Sequence, residues 1–438
     1  GFAPRYARIT TSFSSFTNLA FFCRCFKSKI EPMLAALKFR EYRIFWIGNA
    51  TSNIGIFMLM AGSLWLMHEL TNAALYLGIL TFTGLGPILV LSMWGGVIAD
   101  RVNRVRLVTI TRGCFSATAL ITGLLVALNV IQPWHLISIS LINGILLSFD
   151  IPSRQAMVPN LLPREHLVNA FALQSMLGTG SAIIGPVFLP LIEKIWGIEG
   201  VFMIIGVAYA FTTVMFSKLS KQEIYAKGKA QKPWRDLIEG FSYIRQHRVM
   251  IALISIGIVA GVFTSSYSTL LPVFAEDILG GDVQSYGYLL LSGGIGGMVG
   301  AIAMAQFAKL RDSDLIQTTS GVGLSLTLIV FALNSNFVVA VITIAIVGAF
   351  GVVFLTINNT FLQNMIADEY RGRVSSIHQL GWGASAFGGL LLGFLAQTFG
   401  PQFGLSLCGS IATVSILALC FYIKKTSEER IEGKAAPN

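Results

Sequence analysis

Charge is what this chain has least of. Asp, Glu, Lys and Arg together make up 12% of its 438 residues, against about 25% in an average soluble domain. Apolar residues make up 54%, the mean hydropathy is +0.71, and the apolar runs repeatedly approach the ~20 residues that cross a bilayer. A large soluble protein needs buried helices of only about 10 to 14 apolar residues, so the pattern excludes that class. Cysteine is also scarce. Cys23, Cys25, Cys114, Cys408 and Cys420 include one C-x-C pair and no C-x-x-C, and three of them lie inside apolar runs. Neither a disulfide framework nor a zinc site follows, and the cysteines read as small apolar fillers. The five histidines form no catalytic constellation, and the phosphate-cradling G-x-x-x-x-G-K-[ST] loop is missing. An enzyme and an ATP-driven pump therefore have no residues to rest on, and neither a cofactor nor a metal ion is expected.

What the chain does have is basic charge in particular places. Twelve apolar segments are long enough to span about 30 Å of hydrocarbon at 1.5 Å per residue. They run approximately over 44–67, 74–99, 107–130, 134–158, 168–192, 199–217, 249–275, 284–308, 315–334, 337–366, 374–398 and 402–423. With both termini placed in the cytoplasm, the six outer loops share a single basic residue, Lys194, and the other thirty lie in or next to inner segments. That bias is the positive-inside rule. It accounts for the net charge of +10 without a nucleic-acid partner and predicts a multi-pass protein of the cell inner membrane.

The expected organisation is an N-terminal cytoplasmic segment (1–43), a six-helix bundle (44–217), a cytoplasmic linker (218–248), a second bundle (249–423) and a cytoplasmic tail (424–438). Residues 1–32 are basic and rich in Ser and Thr. Such composition resembles an organelle transit peptide, and the plainer reading is that the functional chain starts at Met33. The halves echo each other: AMVPN at 156–160 and NMIAD at 364–368 each end the fourth span of their half, as an internal duplication in a transporter predicts.

Between the second and third spans the chain reads GGVIADRVNRVR, Gly95 to Arg106. Arg101 and Arg106 can serve simply to hold the loop inside. Asp100 needs more, because acids do little for topology and this one stands at the end of a spanning helix. The N-terminus of the eleventh helix, on the same side, offers about half a positive charge. In the fourth span, Asn143, Leu147, Asp150 and Arg154 share one helical face. Asp150 can neutralise Arg154 four residues on, or can also reach Arg104 and join a wider relay.

The stretch Gly96 to Arg106 is similar to the signature loop of the major facilitator superfamily, with Asn103 and Val105 where the family usually has Gly and a basic residue. The segment Ser153 to Ser175 with IIGP at 183–186, together with Leu37 to Gly55, resembles the exporters grouped with the enterobactin exporter. The fold so implied is all-α and integral to the membrane, twelve transmembrane helices in two pseudo-symmetric six-helix bundles. The resemblance also implies a conformational latch made of Asp100, Arg101, Arg104, Asp150 and Arg154. Gly185 and Pro186 match the helix-5 antiporter motif in part, with Ser181, Leu189 and Pro190 departing from it. Small residues there can equally serve ordinary helix packing.

For a substrate cavity the polar candidates on the lining helices are Asn49, Asn53, Asn143, Ser265, Asn359 and Gln363, each of which can instead be interhelical glue worth about 0.6 kcal/mol. Ionisable groups deep in the spans are otherwise few: Glu69 caps the first helix at the outer face, Arg112 lies early in the third and His378 one turn into the eleventh. Asp150 and Glu69 are the candidates for proton coupling. A central site without buried charge suits large, mostly apolar or aromatic substrates. The function expected is a monomeric secondary transporter exporting an amphipathic drug-like compound or siderophore, coupled to protons, by alternating access in the lipid bilayer. The alternatives are a carrier of a metabolite or lipid-like substrate and a membrane sensor that transports nothing.

Overall fold

Every backbone N–H and C=O in hydrocarbon has to be satisfied within the chain, which leaves apolar runs of this length the choice of helix or closed barrel. The computed structural model describes residues 35–219, 239, 242–307, 313–367 and 370–435; the side chains of some residues in these ranges, 96–101 and 371–373 among them, also lie outside the description. The described residues are helical and contain no strand. The helices are α1 (Arg40–Thr71), α2 (Ala74–Arg101), α3 (Arg104–Ala127) and α4 (Pro133–Met157). One long helix, Leu167–Ser217, is divided at Gly197, whose φ of 70° is not helical. We therefore count its parts as α5 (167–196) and α6 (198–217). There follow α7 (Arg248–Ile278), α8 (Val283–Phe307), α9 (Ser313–Leu333), α10 (Phe337–Met365), α11 (Arg371–Phe399) and α12 (Pro401–Ala435). The twelve spans of the sequence are all present.

The helix ends have local causes. The Asn103 side chain accepts from the Arg106 amide and starts α3, and Asn336 does the same for α10 through the Val338 and Val339 amides. Such caps satisfy donors that the first helical turn leaves free. Asn103 has φ −64°, so its place in the signature-like loop is an N-cap and not the left-handed turn that Gly or Asn tolerates. α7 is irregular: regular helix to Val259, a π segment Ala260–Thr264, 3-10 geometry Ser265–Leu270 and a second π segment Phe274–Ile278. Thr264 and Ser266 donate to the carbonyls of Ala260 and Val262, and Pro272 supplies no N–H, both of which loosen the α-helical ladder.

Within the first half α2 packs on α4, α3 on α4 and α6, and α1 on the α5–α6 helix; in the second, α8 packs on α10, and α9 on α10 and α12. Adding six to each label turns α2–α4 into α8–α10 and α3–α6 into α9–α12. Glycine permits both close pairs: a Cβ on Gly144 would stand 2.5 Å from the Gly84 carbonyl oxygen, and one on Gly300 2.5 Å from that of Ala349. Small residues of this kind let membrane helices approach closely. The same operation exchanges the two principal contacts between halves, α2 with α11 and α5 with α8. The two bundles are thus related by a pseudo-two-fold axis.

Candidate functional site

Successive helices are antiparallel, so the connections near 72, 130, 197, 280, 335 and 400 share one end of the molecule, called here the Lys194 end. The halves touch near it. On α1, His68 is fully buried with Nε2 3.4 Å from Glu276 Oε2 and 3.7 Å from Asp277 Oδ1 of α7. Trp65 stacks on Tyr286 of α8 at 5.6 Å between ring centroids, and the Tyr286 hydroxyl donates to the Ala61 carbonyl. Gly78 of α2 lies so close to α11 that an added Cβ would be 2.7 Å from the Gly389 carbonyl oxygen. Nearer the middle, Phe82 meets Phe387 edge to face, the Thr81 and Thr269 hydroxyls are 3.2 Å apart, and Ile183 of α5 lies against Gly294 of α8. About one and one and a half turns further from the Lys194 end, Gly180 and Gly178 of α5 have open space where a Cβ would stand.

A hollow of about 90 Å³ lies between α1, α2 and α4, with Phe115 of α3 also in its lining. Its wall is apolar, with Ser63, Thr81, Ser140 and Asn143 as the polar groups. Asn143 Oδ1 accepts from Thr118, and Ser140 donates to the Leu80 carbonyl.

Next to the hollow, five helices of the first half converge on one carboxylate. Asp150 of α4 has no exposed surface. Its Oδ2 accepts from Arg112 Nη2 at 2.8 Å and from Arg154 Nε at 2.6 Å, and its Oδ1 from Thr111 at 3.0 Å. Arg112 is itself 2% exposed and lies over the Tyr209 ring of α6. Arg154 Nη1 donates to Asn49 Oδ1 and, at 3.4 Å, to Asn53 Oδ1. Asn49 in turn donates to Gln174 of α5 at 2.6 Å. Hydrogen bonds to charged groups are the strong ones, about 1.5–3 kcal/mol each, and this network binds α1, α3, α4, α5 and α6 together.

The structure thus joins Asp150, Arg154, Asn49 and Asn53, which the sequence treats as latch and cavity residues separately. It adds Arg112, Thr111, Gln174 and Tyr209. Asp150 and Arg112 are both buried beside the hollow, whose own lining carries no charged residue. An arginine inside an apolar span is costly in itself, and that is the signal by which Arg112 can be found in the sequence. Arg104 is 7% exposed and donates to the Ala156 carbonyl at 2.9 Å. The side chains of Asp100 and Arg101 lie outside the described residues, as does that of His378.

Glu69 stands at the Lys194 end, exposed, accepting from Trp65 Nε1 at 2.9 Å. Gly185 faces α1, where a Cβ would be 2.7 Å from the Ile54 carbonyl oxygen. The contact of α5 with α8 of the opposite bundle is made by Ile183 and Pro190. In the second half Ser265 is half-buried in the 3-10 stretch of α7. On α10 Asn359 is exposed and Gln363 half-buried, whereas Asn358 between them and the core is fully buried. Asn358 accepts from Gln317 at 2.9 Å and donates to the Leu253 carbonyl at 3.3 Å.

Comparisons agree with this architecture. The staphyloferrin A transporter of Staphylococcus aureus is 27% identical over 394 residues, covering 89% of this chain and 96% of that protein. Macrolide efflux protein A of Streptococcus pyogenes is 24% identical over 78% of this chain and 85% of its own, and the enterobactin exporter of Escherichia coli is 24% identical over 82% and 86%. Among solved structures, the nucleoside transporter NupG superposes with a TM-score of 0.70 at 15% identity, covering 88% of this chain and 99% of that one. The model of transmembrane secretion effectors matches residues 31–436. The chain belongs to that family, a transporter branch of the major facilitator superfamily.

Proposed function

We propose that the protein is a secondary active exporter of an amphipathic small molecule, either drug-like or a siderophore, working by alternating access in exchange for protons across the inner membrane. The observation that supports this reading is that the described contacts between halves run from the Lys194 end to mid-membrane, whereas a Cβ on Gly178 or Gly180 of α5 would meet no atom within 4 Å. With both termini in the cytoplasm, as the distribution of basic residues favours, this geometry corresponds to an inward-facing state, with the hollow on the first-half side. Two halves related by a pseudo-two-fold axis can rock about a site between them. The named relatives, two siderophore transporters and a macrolide exporter, support a substrate of that size and amphipathic character.

In this reading Asp100 latches the first bundle to the N-terminus of α11 in the outward-facing state, with Arg104 beside it. Asp150 and Glu69 are the proton-coupling candidates. The hollow and the polar side chains Asn49, Asn53, Asn143, Ser265, Asn359 and Gln363 form the substrate wall, and the protein acts as a monomer. The experiment is an accumulation and susceptibility screen in an efflux-deficient host with dyes, antibiotics and catecholate siderophores, comparing the chain with its Asp100→Asn variant. Lower accumulation of at least one compound, reversed by a protonophore and by Asp100→Asn, is the expected result. Binding without flux in proteoliposomes overturns it in favour of a sensor.

A further inference from the structure

We propose that the exposed edge of Arg154 is an oxyanion subsite, so that the exported molecule carries a carboxylate or ionised catechol on an apolar body. The proposal rests on the exporter reading and narrows its substrate.

The argument begins with charge. Two guanidinium groups, Arg112 and Arg154, surround the single carboxylate of Asp150. One positive charge is therefore left over in this cluster, in the last turn of α4. Asp150 cannot supply more. Its Oδ2 already takes two guanidinium donors and its Oδ1 the Thr111 hydroxyl. The remaining acceptors on Arg154 are the amide oxygens of Asn49 and Asn53, which orient the guanidinium without neutralising it.

The second argument is access. Asp150 and Arg112 are sealed at 0% and 2% exposure, whereas Arg154 keeps 15%. Its Nε and Nη1 are engaged, and its Nη2 has no hydrogen-bond partner among the described residues. A planar guanidinium with one open edge is suited to carboxylate or a similar oxyanion.

The third is continuity with the hollow. Asn53 precedes Ile56 on α1 by about one turn, and Leu147 precedes Arg154 on α4 by about two. Ile56, Met60 and Leu147 belong to the apolar wall. A ligand with an acidic head at Arg154 and an apolar body in the hollow satisfies both surfaces at once. An amine-bearing ligand meets a like charge there.

The test is counterflow into proteoliposomes holding the full chain, with three probes: 2,3-dihydroxybenzoylserine, its uncharged methyl ester, and the cationic dye rhodamine 6G. The anion is expected to move at least tenfold faster than its ester. Arg154→Gln, which leaves Asp150 paired with Arg112, is expected to lower that ratio about tenfold, and Arg154→Lys to retain part of it. Asn53→Asp gives a second route, since it puts a carboxylate beside Arg154 with no change of volume. It is expected to abolish the anion preference while Arg154 remains. An unchanged ratio in both Arg154→Gln and Asn53→Asp overturns the proposal, as does a wild-type preference for rhodamine 6G. Movement of the dye alone leaves the exporter reading intact and removes the anion subsite; movement of no probe removes both.

Discussion

His68, fully buried near the end of α1, directs its Nε2 to Glu276 of α7 at 3.4 Å, across the boundary between the two halves. Asp277 follows at 3.7 Å. Neither side of this contact has another strong ion-pair partner among the described residues, so it acts as a clasp between bundles at the Lys194 end. It is strongest when the imidazole carries a proton. Truncating the imidazole removes the contact, while Glu276 and Asp277, about half exposed, stay solvated. His68→Leu is therefore expected to raise maleimide labelling of a cysteine placed at Ser63 severalfold from the Lys194 side, in a background lacking the native cysteines. Unchanged labelling would mean that the clasp does not hold this end closed.

Gly78 tests the same closure by volume instead of charge. A Cβ there meets the Gly389 carbonyl oxygen at 2.7 Å and the Gly393 Cα at 3.2 Å, and these are backbone atoms that cannot rotate away. Gly78→Val is expected to force α2 and α11 apart and lengthen the spin-label distance between residues 76 and 397 by several ångströms. The wild-type distance in the variant would show that the interface tolerates the side chain and is not tightly closed.

Asp150 separates a structural role from a transport role. Asp150→Asn leaves Arg112 and Arg154 without their carboxylate, and losing one partner of a buried pair costs about 3–5 kcal/mol. A marked fall in the melting temperature in detergent is expected. The Asp150→Asn/Arg112→Met double variant should recover much of it, because the deeper unpaired charge is gone. Additive losses in the two single variants and the double would rule out direct coupling.

Neighbouring asparagines on α10 should behave oppositely. Asn358 is buried between Gln317 and the Leu253 carbonyl, so Asn358→Leu orphans buried polar groups, at about 1–3 kcal/mol, and is expected to lower thermal stability. Asn359 is exposed, and Asn359→Ala is expected to leave the melting temperature within about a degree while changing the apparent substrate affinity. Equal effects of the two variants on stability would contradict their assigned environments.

The pair Asn358 and Asn359 also shows where sequence reasoning stops. Consecutive helical residues point about 100° apart, and in a helix that is apolar on every side nothing in the sequence says which of the two faces the bundle core. The selection of Asn359 over Asn358 as a cavity residue rests on spacing to Gln363, and only packing against α7 and α9 gives Asn358 its own role. Arg112 is a comparable case. It stands 38 residues from Asp150, so no helical periodicity links them, whereas the i,i+4 relation of Asp150 and Arg154 is visible at once.

What the sequence by itself determined is the part governed by the bilayer as solvent. Apolar runs of spanning length become helices because hydrocarbon offers the backbone no other partner, and the placement of thirty basic residues favours one orientation. The duplicated AMVPN and NMIAD segments already implied two halves, now present as pseudo-symmetric bundles. Tertiary structure alone decided how those halves meet, through α2 with α11 and α5 with α8. It also decided that one carboxylate is shared by two arginines. Those outcomes depend on contacts between residues tens to hundreds of positions apart, formed where glycine lets backbones touch and where a buried charge must find its partner on another helix.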